Sequence, residues 1–197
     1  FLARNEEIEL DSAWAASRAA RDGKLPGDFL LPPSLRLGLF DVVRRIGGAD
    51  AESLLAETLA ATGRGLEVAY LTRLLHEMAP NKYRDNALFT ARTLLASAAP
   101  MTSASPLDRN HRDYLFGVLA FYGDTGFTRE AQNQLVRADS QIDRSVLKYL
   151  QQSLGAQAVP IVAQAYQNPL LLTNAAAKEP LARLALSFVG ADAQANT

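Results

Sequence analysis

The residues able to do chemistry in this chain are few: two histidines, a surplus of arginine over lysine of about fourfold, and scattered carboxylates, with no cysteine. His76 is followed by Glu77, the opening half of the His-Glu-x-x-His zinc motif, but the position one turn on is Pro80. No second imidazole shares that face, so the pair reads as residues at a helix end, near its negative pole. His111 lies three residues after Asp108, a spacing that puts both on one helical turn and offers two ligands of a metal- or ligand-dependent centre over residues 100–113. No third ligand follows nearby. The plainer reading makes Asp108 a helix cap and His111 a first-turn surface residue. Without cysteine there is no thiol catalysis, disulfide or thiolate metal site. Neither a Gly-x-Ser-x-Gly elbow nor a phosphate-cradling glycine loop is present. The expectation is a non-enzymatic protein with no metal and no cofactor.

The arginines suggest binding. Arg36, Arg44, Arg73 and Arg112 fall so that a groove lined by alternate helices would collect them. Guanidinium forks grip carboxylates and phosphates bidentately, which suits an acidic peptide or, as an alternative, a nucleic-acid backbone. The charge balance opposes the second: 20 Lys+Arg against 21 Asp+Glu give a net charge of −1. No nucleic-acid partner is expected. Tyr83, Phe116 and Phe127 fall off the apolar stripes of their helices and are candidate exposed anchors. The expected partner-binding set is therefore Arg36, Arg44, Arg73, Tyr83, Arg112 and Phe116.

What positions these residues is helical. Ala and Leu dominate the apolar set, β-branched residues are sparse, and no run alternates strictly enough for a strand. The chain of 197 residues suits one domain or a short repeat array. A first helix is expected over about Glu6 to Asp22, within an N-terminal segment 1–22, and a Pro- and Gly-rich linker over 23–33. The main body, 34–190, alternates stripes and breakers. Leu35, Leu39, Val42/Val43 and Ile46 form a 3.6-period stripe ending at Gly47-Gly48. Asp50 opens a helix to Gly63, Gly65 one to Pro80, and a fourth covers about Lys82 to Ala98. After the long Pro100–Pro106 loop come helices opened by Asp108, Thr128, the Ser140–Asp143 capping box, Val159 and Lys178-Glu179-Pro180. Residues 191–197 read as a disordered tail.

Short connections force neighbouring helices antiparallel, and two partly apolar faces per helix call for neighbours on both sides. The stretch Gly47-Gly48-Ala49-Asp50-Ala51-Glu52-Ser53-Leu54-Leu55-Ala56-Glu57-Thr58-Leu59, followed by Gly65-Leu66-Glu67-Val68-Ala69-Tyr70-Leu71-Thr72-Arg73-Leu74-Leu75, resembles a HEAT-like repeat. The likeness covers Ser34 to Ala98 and is looser over Asp108 to Val189. It implies an α-α superhelix of about nine to ten helices whose concave face holds a protein, peptide or partner helix. Phe1-Leu2 fits the end of an upstream apolar segment, a membrane tether, as well as an arbitrary boundary. The absence of cysteine fits a reducing compartment and an exported domain alike.

Overall fold

The structure is a computed structural model that describes residues 8–10, 25–27, 31–97, 105–171 and 174–189. Its elements are helices. In chain order they are α1 (Leu35–Ile46), α2 (Gly48–Ala61), α3 (Gly65–Met78), α4 (Arg84–Ala96), α5 (His111–Phe121), α6 (Thr128–Gln134), α7 (Arg144–Leu154), α8 (Val159–Tyr166) and α9 (Ala175–Leu186), with short 3-10 turns at Pro106–Asp108, Gly155–Ala158 and Pro169–Leu171. Extended pairing among the described residues is confined to isolated bridges, Glu9 with Ser34 and Val136 with Ile142. The chain divides into two compact units, Phe1–Tyr122 and Gly123–Thr197.

In the first unit, Ser34 caps α1 by accepting the Leu37 N–H at 3.3 Å. Ahead of it, Ile8–Leu10 is extended: the Leu35 N–H donates to the Ile8 carbonyl at 2.9 Å and the Leu10 N–H to that of Pro33 at 3.1 Å. This corrects the expected helix from Glu6, because backbone pairing with Pro33–Leu35 satisfies groups that a helix would have used. The rest of that expected helix, residues 11–22, lies outside the described residues, as do loop residues 98–104 and the 191–197 tail.

Each helix of this unit packs on the next in sequence, and α1 on α3, α2 on α4 and α3 on α5 as well. Enclosed from all these directions, α3 is buried at every position from Gly65 to Thr72 and again at Leu74 and Leu75. Its closest crossing is with α5. A Cβ placed on Gly65 would sit 2.3 Å from the His111 carbonyl oxygen. Only glycine permits that approach.

The orientation of α1 reverses the expectation from its periodicity. Arg36, Leu37 and Phe40 are its buried residues. Of the apolar stripe, Leu35 is 38%, Val42 52% and Ile46 76% exposed, and Leu39 is half-buried. An ion pair described below holds Arg36 inward and turns the stripe to solvent. Asp50 does not cap α2, which starts two residues earlier at Gly48 behind the positive-φ Gly47 (φ 70°).

In the second unit, Asp143 caps α7 by accepting the N–H groups of Ser145 and Val146 at 3.0 and 3.2 Å. The preceding turn closes through Arg137 N–H to Gln141 and Asp143 N–H to Leu135, both at 2.9 Å. That moves the helix start to Arg144 rather than Ile142. Tyr149 is buried and donates its hydroxyl proton to the Asp124 carbonyl at 2.8 Å. The last helix begins at Ala175, capped by Asn174, so Pro180 stands inside it rather than at its start.

Candidate functional site

The N-terminus of α3 gathers most of the buried polar chemistry of the first unit. Glu67 is the one acid in the run Leu66-Glu67-Val68-Ala69-Tyr70-Leu71 and is 2% exposed. Arg36 reaches it in a fork, Nε to Oε1 at 2.9 Å and Nη2 to Oε2 at 3.0 Å. Thr62 donates its hydroxyl to Oε2 at 2.7 Å. A carboxylate removed from water in this way needs both the cation and the extra donor to offset its desolvation.

Beside it stands a second fork. Arg64 bonds Asp108 through Nε to Oδ1 and Nη2 to Oδ2, both at 3.1 Å, and through Nη2 also Ser105 Oγ at 3.2 Å. Asp108, expected as a helix cap, therefore serves as the counter-ion of Arg64 in the 3-10 turn before α5. His111 opens α5 and accepts the Gly65 N–H on Nδ1 at 2.9 Å. Burial pushes its pKa below the ordinary value, with Asp108 opposing and Arg112 reinforcing the shift. The ring is thus held neutral with its proton on Nε2, a donor and not a base. Both Asp108 oxygens are committed to Arg64 and Nδ1 of His111 is committed to α3. The arrangement clasps the start of α3 to α5. Among the described residues no cluster of three or more His, Asp or Glu could hold a metal ion.

The six residues expected to bind a partner are not brought together. Arg36 and Phe116, 1% and 3% exposed, are interior, which corrects their assignment to a binding face. Arg36 is consumed by Glu67, and Phe116 lies in the packed face of α5 with the Arg112 guanidinium 5.5 Å from its ring centre. Phe127 is likewise buried. Arg44 and Arg73 do meet, on Glu77: Arg44 donates to Oε2 at 3.2 Å and Arg73 to Oε1. Arg73 also lies 4.9 Å over the Tyr70 ring, whose hydroxyl donates to Asp41 at 2.7 Å. Tyr83 belongs to another patch, with Lys82 and Glu52. Hydrogen bonds from Lys82 and Tyr83 lower the Glu52 pKa, and the bond to Glu52 raises that of Tyr83. His76 meets the edges of Phe121 and Tyr122 at 5.0 and 6.0 Å.

Sequence reasoning missed Glu67, Thr62 and the Arg64–Asp108 fork. The signal for the first was a lone acid inside the apolar run Leu66–Leu71, which demands a buried cation. It also missed the feature least expected from composition, the outward apolar stripe Leu35, Leu39, Val42 and Ile46 on α1. Arg45, exposed beside the stripe, makes no ion pair among the described residues. No described helix is long and apolar enough to cross a membrane. Comparison with known proteins finds no matching family model, curated protein or solved structure.

Proposed function

We propose that the chain is a non-enzymatic, HEAT-like interaction module whose first unit binds an amphipathic helix of a partner protein on α1. The observation that carries this reading is the stripe Leu35, Leu39, Val42 and Ile46. Apolar side chains at i, i+4, i+7 and i+11 run along one side of three turns, with three of the four well exposed. A helix laid along them would meet apolar side chains at its own matching positions. Arg45 at the edge favours an acid on the partner.

The repeat reading is supported by the packing order of the first unit. Contacts of each helix with the next and the next but one, as between α2, α3 and α4, are what stacked helical pairs produce. The neutral, donor-only His111 and the doubly engaged Asp108 weigh against an enzyme or ligand-dependent centre at 100–113. The near-even charge weighs against nucleic acid.

The test is site-specific photo-crosslinking from position 46 of the full chain in its native cell, with position 93 on α4 as the control. One dominant adduct to a helical segment of another protein, formed from position 46, absent from position 93 and lost with Val42→Asp, is the expected result. Adducts only within the same chain, or equal labelling from both positions, contradict the proposal.

A further inference from the structure

The second unit holds a groove of about 460 Å3 between α7 and α9, within the roughly 300–1,000 Å3 typical of small-ligand pockets. Its apolar lining includes Leu147, Pro180 and Leu184, with Leu147 and Leu184 at 8% and 4% exposure. Arg144 and Arg183 stand on the same groove. Arg144 is the first residue of α7, at the positive end of the helix dipole, where a cation is least favoured. It has no hydrogen-bond or ion-pair partner among the described residues, because the capping carboxylate of Asp143 is directed to the N–H groups of Ser145 and Val146. Arg183 is held by Glu179 at 2.6 Å, in an exposed i,i+4 pair that contributes little and exchanges readily.

From this arrangement we infer that the groove binds a peptide C-terminus: a branched apolar side chain against Leu147, Pro180 and Leu184, and the terminal carboxylate on Arg144. A carboxylate there supplies the counter-charge that Arg144 lacks, and an apolar side chain packs on Pro180 above the floor that Leu147 and Leu184 form. Glu179 is the internal competitor, since it occupies the guanidinium that would otherwise complete a two-arginine clamp.

The experiment titrates acetyl-Ser-Gly-Leu, as free acid and as C-terminal amide, into the 15N-labelled full chain and follows amide shifts. The expected shifts fall on α7 and α9, with the acid on the order of tenfold tighter than the amide. Arg144→Gln abolishes that preference and Glu179→Gln increases it. Amide binding as well as acid, no shifts on these helices at millimolar peptide, or a preference that survives Arg144→Gln overturns the inference. Binding of decanoate in place of the peptide, with the same shifts, does so too.

Discussion

Two side chains decide how α3 begins, His111 and Glu67, and each makes a separate prediction. His111 accepts the Gly65 N–H as a neutral ring, and burial lowers its pKa from the usual 6.5. The unfolded chain therefore takes up the proton first as the pH falls. The stabilisation from His111 is complete above about pH 6.5 and declines below it. His111→Asn keeps an acceptor oxygen without a titrating ring, so its urea midpoints should vary less between pH 7.5 and 5.5 than those of the parent. His111→Ala leaves the Gly65 N–H without its acceptor and should cost about 1–3 kcal/mol at pH 7.5. Equal pH slopes for parent and Asn variant would remove the imidazole from the account. Glu67 behaves differently, since its loss strands a cation. Glu67→Gln should destabilise by about 3–5 kcal/mol, whereas the paired change Arg36→Met with Glu67→Met should cost less than either alone. Urea denaturation of Glu67→Gln, the two single Met variants and the double variant gives the comparison.

At the scale of elements, the α3–α5 crossing rests on the missing side chain of Gly65. The 2.3 Å approach to the His111 carbonyl involves backbone, which cannot rotate away. Gly65→Ala should lower stability by about 1–3 kcal/mol or more, seen as a lower urea midpoint. Positions and types of helices were legible because α-period stripes and breakers are local: Gly47 and Gly155, at positive φ, end α1 and α7 as their spacing suggested. Which side of α1 is buried was not legible. A stripe reports an apolar face, but burial depends on what the opposite face meets, and Arg36 meets Glu67 31 residues away. The caps shifted for a similar reason. Asp108 lies where a cap belongs by sequence, yet Arg64, 44 residues earlier, takes both its oxygens. Pairings of this range leave no periodic trace.

At the scale of the whole molecule, the central claim is that the apolar face of α1 is surplus to the fold and kept for a partner. Composition could not reveal it, because 48% hydrophobic content is ordinary for a chain of this length and says nothing of where the residues lie. The most direct measurement is thermal and urea unfolding of the full chain carrying Val42→Asp with Ile46→Asp, against Leu37→Asp as a buried reference on the same helix. The account predicts that the stripe variant stays within about 0.5 kcal/mol of the parent, while Leu37→Asp is destabilised by several kcal/mol or fails to fold. A stripe variant that loses as much stability as Leu37→Asp would mean that these side chains are already covered within the chain, and the proposed binding face would be contradicted.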